Sequence, residues 1–326
     1  MARILLIKTS SLGDLVHNLP VVSDIRRHDP HAQIDWVAES AFAAIARMHA
    51  GVGRVLPVAI RRWRSSLLQA QTRSECGAFF AQLREHEYDA IIDTQGLLKS
   101  ALVACAARGR SHGLDWQSSR EPLRVLYERT YRVPWGQHAV TRNRSLAAQA
   151  LGYTLALADA ADYGIARAPD TIDTQRPACD WLPAGNYAVL LHATSAANKL
   201  WPESHWLKLY NHLILNNIIS ILPWGNTDER RRSERLAAAM KHAIVPPALT
   251  LPELADVFRH AQAVAGVDTG LTHLAAALNV PTAGLYCATD PAATGLHGCA
   301  RAANLGGIGT PPPAADVIAA LERLMS

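Results

Sequence analysis

Short apolar runs alternate with helix-length amphipathic runs from end to end of this chain, and few folds accept such a pattern. Strands separated by helices return to pair in parallel, so the helices must cover both faces of each sheet. The runs at 4–7, 33–38, 55–58 and 88–93 read as strands, and those at 15–27, 41–49, 74–85 and 97–107 as helices. The second half repeats the plan, with strands at 188–191, 218–222, 263–267 and 282–286 and helices at 203–215, 227–240, 271–278 and 314–324. Between the halves, 156–186 is rich in Ala, Asp, Pro and Thr, the composition of a linker. The expectation is an α/β protein of two doubly wound parallel-sheet domains, 1–170 and 171–312, with a last helix within 313–326.

Length agrees, because 326 residues exceed one typical domain. With 49% hydrophobic and 18% charged residues, the chain has the composition of a well-cored protein and not of a disordered one. Five scattered cysteines without a Cys-x-x-Cys pair argue against a disulfide framework and a zinc site, and suit a reducing compartment. No apolar run approaches the ~20 residues of a membrane span. The first apolar stretch stops at Lys8-Thr9-Ser10-Ser11, too short for a signal-peptide core. A cytoplasmic protein is expected. The whole +4 charge excess lies in residues 1–175, where an anion-attracting surface is therefore expected. It is too small for nucleic acid, which calls for a denser basic stripe.

At three places a strand-like run enters a small polar turn and then a helix start. Open α/β sheets gather ligands at the carboxyl ends of their strands. The unpaired N–H groups and positive dipole end of a helix start favour phosphate there. The first turn is Thr9-Ser10-Ser11-Leu12-Gly13-Asp14. The second is His192-Ala193-Thr194-Ser195-Ala196-Ala197-Asn198-Lys199-Leu200-Trp201-Pro202, and the third Asp268-Thr269-Gly270-Leu271-Thr272-His273. Each alone also reads as ordinary structure: Asp14 and Asp268-Thr269 as helix caps, Lys199 as solvated surface, His273 as a packing imidazole.

In this order, and with Ala59-Ile60-Arg61-Arg62-Trp63-Arg64, Asp93-Thr94-Gln95-Gly96-Leu97-Leu98-Lys99-Ser100 and Leu222-Pro223-Trp224-Gly225, these segments resemble the lipopolysaccharide heptosyltransferases, the ADP-heptose-using glycosyltransferase family 9. The resemblance runs over nearly the whole chain. It implies a GT-B-type fold, two Rossmann-like domains facing across a cleft, with the first binding the acceptor, the second binding ADP-heptose and the last helix packing back on the first. It also implies inverting transfer of L-glycero-D-manno-heptose from ADP-heptose to the inner Kdo of Kdo-lipid A. The enzyme would then sit peripherally on the cytoplasmic face of the inner membrane. ADP-heptose is a substrate, so no cofactor is expected, and a diphosphate neutralised by Lys and helix dipoles needs no metal. Alternatives are a heptosyltransferase with a heptose acceptor, a nucleotide-sugar epimerase of the same fold, and an inactive nucleotide-binding module.

Residue by residue, the resemblance puts the general base at Asp14. Thr194, Ser195 and Lys199, with Thr269, Gly270 and His273, would hold the diphosphate. Asp268 would bind a sugar hydroxyl or fix its turn, Glu229 would meet the adenosine ribose, and Trp224 would line the adenine pocket. On the acceptor side stand Ser10, Ser11 and Gly13 with the basic Arg61, Arg62, Arg64, Lys99 and Arg120, because Arg binds carboxylates and phosphates in bidentate fashion. A run of such charges is equally an ordinary solvated face. Two departures are visible. Ser195 stands where many relatives have Thr, and Tyr286-Cys287-Ala288-Thr289-Asp290-Pro291 lacks the Gly and Pro of the family's run.

Overall fold

Strands buried on both faces must be apolar on both faces, and the central ones are: Leu5, Leu6 and Ile7, or Val189 and Leu190, are wholly enclosed. The computed structural model describes residues 1–66, 68–155, 160–165 and 179–326. It divides into two units, Met1–Ile165 and Ala166–Ser326. The expected boundary at 170/171 lies outside the described residues, as does much of the expected linker.

Unit 1 runs β1 (Arg3–Ile7), α1 (Leu12–Val16), α2 (Leu19–His28), β2 (Gln33–Glu39), α3 (Ala43–Met48), β3 (Arg54–Val58), α4 (Ile60–Ser65), α5 (Ala70–Leu83), β4 (Glu87–Asp93), α6 (Leu98–Ala106), β5 (Arg108–Leu114), β6 (Arg129–Tyr131) and α7 (Ala139–Leu151). Its six strands pair in parallel in the order β3-β2-β1-β4-β5-β6. Unit 2 runs β7 (Tyr187–Leu191), α8 (Glu203–Leu215), β8 (Ile219–Ile221), α9 (Thr227–Ala239), α10 (Leu251–Arg259), β9 (Ala263–Val267), α11 (Gly270–Ala277), β10 (Thr282–Tyr286), α12 (Pro291–Thr294), β11 (Ala302–Gly306) and α13 (Ala314–Met325). Its five strands are parallel too, in the order β11-β10-β9-β7-β8.

One expectation needs correction. The single helix at 15–27 is two, α1 and α2, with Asn18 as the N-cap of the second and Pro20 in its first turn, where a missing N–H costs nothing. The charge run at 60–65 is itself a helix, α4, with Trp63 as its one buried side chain. The last helix, α13, lies on the sheet of its own unit. Ala314, Val317 and Leu321 form one helical face, packed in a core with Trp201, Trp206 and Leu285. Among the described residues, no helix is long and apolar enough to cross a membrane.

Each sheet has one point where chain order reverses. In unit 1 it falls between β1 and β4, and in unit 2 between β7 and β9. Ligands of doubly wound sheets bind outside the carboxyl ends of the strands at such points. The three turns singled out in the sequence follow β1, β7 and β9.

Candidate active site

In unit 1 the loop after β4 braces the loop after β1. Asp93 is fully buried, and its Oδ1 accepts from the N–H groups of Gln95 (2.8 Å) and Gly96 (3.2 Å). Its Oδ2 accepts from the Tyr127 hydroxyl at 2.7 Å. The turn this shapes places Gly96 at φ +65°, where a side chain would be strained. Gln95 Oε1 then accepts from the backbone N–H groups of Thr9 (3.0 Å) and Ser10 (3.1 Å), and Lys99 Nζ donates to Ser10 Oγ at 2.7 Å. The Ser10–Ser11 peptide is cis.

Asp14 stands on this braced turn, at the third position of α1. Ser11 is the N-cap and donates both its N–H (2.6 Å) and its hydroxyl (3.0 Å) to Asp14 Oδ2. Asp14 thus does serve the cap, as the acidic partner of a capping box, and Ser11 fixes its rotamer. Arg120 lines the same small cleft, as do Lys8, Arg142 and Asn143. Lys8 Nζ is buried and donates to the Thr94 carbonyl (2.7 Å) and Asn143 Oδ1 (3.3 Å). Burial lowers its pKa; the charges of Asp14 and Asp93 oppose that, and Arg120 and Arg142 add to it. A carboxylate ringed by cations is a place where a hydroxyl of an anionic molecule can be both held and deprotonated.

The other acceptor-side candidates are not all in this cleft. Lys99 reaches it through Ser10. Arg61, Arg62 and Arg64 are exposed on α4. Arg62 is engaged by its own chain: it forms a bidentate pair with Glu75 (3.2 and 2.5 Å), which also accepts from Trp63 Nε1 at 3.0 Å. The Arg62 guanidinium, helped by Trp63, holds Glu75 below the usual carboxylate range. Arg64 faces an apolar groove and not the Asp14 cleft.

In unit 2 the loops after β7, β9 and β10 meet at Asp268. Its Oδ2 accepts from Lys199 Nζ (2.7 Å) and from the Thr289 hydroxyl (2.8 Å), and its Oδ1 lies 3.6 Å from His273 Nε2. Thr194 Oγ1 donates to the Asp268 carbonyl at 3.1 Å. Burial pushes the Asp268 pKa up, but hydrogen bonds from His273, Lys199 and Thr289 and the charge of Lys199 outweigh it, leaving the carboxyl well below its usual range. Thr269 is the N-cap of α11, so the N–H groups that open this helix point out beside Lys199. Gly266 lets α11 come close, because a Cβ there would meet Thr272 Oγ1 at 2.2 Å. Ser195 is exposed in the β7 loop. Glu229 stands apart, at the head of α9, where its Oε2 accepts from Gly225 N–H at 2.7 Å. Trp224 beside it donates Nε1 to the Pro246 carbonyl at 2.8 Å.

Sequence reading passed over Lys8, Arg142, Asn143 and Thr289 as site residues. Lys8 had a signal, a charge ending an otherwise apolar strand. Thr289 lay in the run whose departures from the family put its loop's contribution in question. Arg142 and Asn143 had none, since α7 is brought to β1 only by the fold. Among the described residues no cluster of His, Cys, Asp or Glu could hold a metal ion.

Two parallel-sheet units with switch-point sites of this chemistry define a GT-B-type glycosyltransferase. The model of glycosyltransferase family 9 (heptosyltransferase) matches residues 76–312. Lipopolysaccharide heptosyltransferase 1 of Pseudomonas aeruginosa is 46% identical over 298 residues, covering 91% of this chain and 81% of that protein. A solved structure of Escherichia coli heptosyltransferase WaaC with ADP is 41% identical, with a TM-score of 0.88 and 99% of each chain covered. Another, with ADP-2-deoxy-2-fluoro heptose, is 40% identical with a TM-score of 0.85, covering 98% of this chain and 99% of that one. The chain belongs to glycosyltransferase family 9, the heptosyltransferases.

Proposed function

We propose that this enzyme transfers L-glycero-D-manno-heptose from ADP-heptose to the inner Kdo of Kdo-lipid A, working at the cytoplasmic face of the inner membrane. One observation carries the reading: the two switch-point sites have complementary chemistry, a presented carboxylate in unit 1 and a cation with helix N–H groups in unit 2. The solved relatives with ADP and an ADP-heptose analogue support the donor.

In the step itself, Asp14 takes the proton of the Kdo hydroxyl as its oxygen attacks the anomeric carbon from the face opposite ADP. The bond from that carbon to the diphosphate breaks, and the electron pair leaves on ADP. Lys199 and the N–H groups opening α11 meet the charge that builds there. Asp268 aims Lys199 and His273, and Glu229 receives ribose hydroxyls. Arg120 and Lys99 take the acceptor's carboxylates.

The test is incubation with ADP-heptose and deacylated Kdo-lipid A. The expected result is heptosylated product and ADP in equal amounts. Donor consumption without ADP would make the protein an epimerase, and transfer only to a heptose-terminated acceptor would make it a later enzyme of core assembly.

A further inference from the structure

On unit 1, α4, α5 and α6 leave between them an apolar groove of about 640 Å³. Ile60 and Trp63 of α4, Phe80 of α5 and Leu98 and Leu102 of α6 line it. Leu98 is 51% exposed, Leu102 55% and Phe80 37%. Large apolar side chains gathered on one open surface mark a binding site more often than chance exposure does. Two charges stand on the lining, Arg64 and Lys99, and one acid, Glu121, whose Oε2 already accepts from Leu98 N–H at 2.6 Å.

The groove is joined to the catalytic turn. Leu97 lines both the groove and the Asp14 cleft. Lys99 lines the groove while its ammonium donates to Ser10 Oγ, on the loop that carries Asp14. A molecule with a sugar at Asp14 can therefore continue past Leu97 onto an apolar floor edged by cations. That succession of polar sugar, anionic group and hydrocarbon is the chemistry of an anionic glycolipid. The walls are mostly helix side chains and not a strand edge, so the groove offers hydrocarbon contact and little of the backbone pairing an extended peptide would seek.

We infer that this groove holds an acyl chain of the acceptor itself, with Arg64 and Lys99 on the acceptor's anionic groups at its rim. The inference rests on the proposed glycolipid acceptor and adds a subsite to it. Arg64 thereby gains a role that the Asp14 cleft does not give it, and the exposed leucines of α6 acquire a ligand.

The experiment compares two acceptors, acylated Kdo-lipid A dispersed in detergent and the same molecule stripped of its acyl chains. The proteins are the full-length wild type, Leu98→Gln/Leu102→Gln, and Leu215→Gln, a change at an 83% exposed leucine of unit 2. Gln suits a helix surface as well as Leu does, and circular dichroism confirms that each variant folds. The groove variant should raise the KM for the acylated acceptor about tenfold, equivalent to about 1.4 kcal/mol. Its KM for the deacylated acceptor and for ADP-heptose should stay within twofold of wild type, and Leu215→Gln should change none of them. Equal KM values for the acylated acceptor in all three proteins would overturn the inference, and so would an equal rise for both acceptors. Sedimentation with vesicles of anionic phospholipid lacking the acceptor supplies the last arm. If the groove variant lost vesicle binding but kept its KM for the acylated acceptor, the groove would be a membrane-docking patch and not an acyl site. Failure of wild type to heptosylate either acceptor would instead count against the glycolipid reading as a whole.

Discussion

Asp14 and Asp268 occupy matching positions, each just beyond a central strand beside the switch point of its sheet, and their surroundings make them different tools. Asp14 is half-buried and tied to Ser11 of its own turn, with Lys8, Arg120 and Arg142 lining the cleft in front of it. The Asp268 side chain is only 10% exposed and takes up Lys199, His273 and Thr289. A carboxylate bonded on one side can still exchange a proton with a ligand. One enclosed by donors is locked as an anion and serves to aim them. Equivalent backbone positions therefore yield a carboxylate open to a ligand in one unit, as the proposed base requires, and a scaffold for cations in the other.

The strongest test of this contrast is Asp14→Asn. It should lower kcat by roughly 10²–10⁴, the usual range for loss of a general base, with the affinity for ADP unchanged in calorimetry. Turnover within a few-fold of wild type would reduce Asp14 to a helix cap. Next comes Lys199→Ala, which removes a charge-assisted contact worth about 1.5–3 kcal/mol. ADP should bind roughly 10- to 150-fold more weakly and transfer should slow as well. Unchanged affinity and turnover together would leave Lys199 merely the partner of Asp268.

Asp268→Asn sharpens the comparison through stability. Leaving Lys199 and His273 without their carboxylate should cost about 1–3 kcal/mol at pH 7. The Asp268 pKa is depressed in the folded protein, so its contribution is present above the unfolded value of about 3.9 and is lost as pH falls below it. Thermal unfolding between pH 5 and 3 should thus show a shallower acid loss in the variant than in wild type. Parallel curves would mean the Asp268 network stores no such energy.

The smallest effect is expected from neutralising Arg61 and Arg64. Exposed charges are screened within about 8 Å at physiological salt. The double variant should raise the acceptor KM several-fold, leave the donor KM alone, and lose much of the wild-type rise of acceptor KM with ionic strength. Equal salt slopes would make α4 an ordinary solvated face. Arg62 is left out of the pair because Glu75 already neutralises it.

Local pattern was enough for the parts of the fold that repeat a period. The buried strands β1, β7, β9 and β10 carry unbroken apolar runs, those of β2 and β4 are interrupted only by Asp35 and Asp89, and the polar turns after β1, β7 and β9 stand out against them. Elsewhere local pattern is silent. β5 reads Arg-Gly-Arg-Ser-His-Gly-Leu, without the apolar character of a buried strand, and is drafted into the sheet by pairing with β4 and β6. The Arg-rich α4 looks like an ordinary solvated face until Trp63 is seen packed against Phe79 and holding Glu75.

What the amino-acid order determined alone was the alternation of strand and helix, hence two parallel sheets, and the residue types on the turns that end their central strands. Those are local matters of hydrophobic period and turn chemistry, written in contiguous residues. What only the tertiary structure decided was which distant side chains meet there. Asn143 is 135 residues from Lys8, and Lys199 and Thr289 are 69 and 21 residues from Asp268. Whether an aspartate becomes a base or a scaffold depends on charges and burial supplied from that distance, through strand order and helix packing that no local window contains.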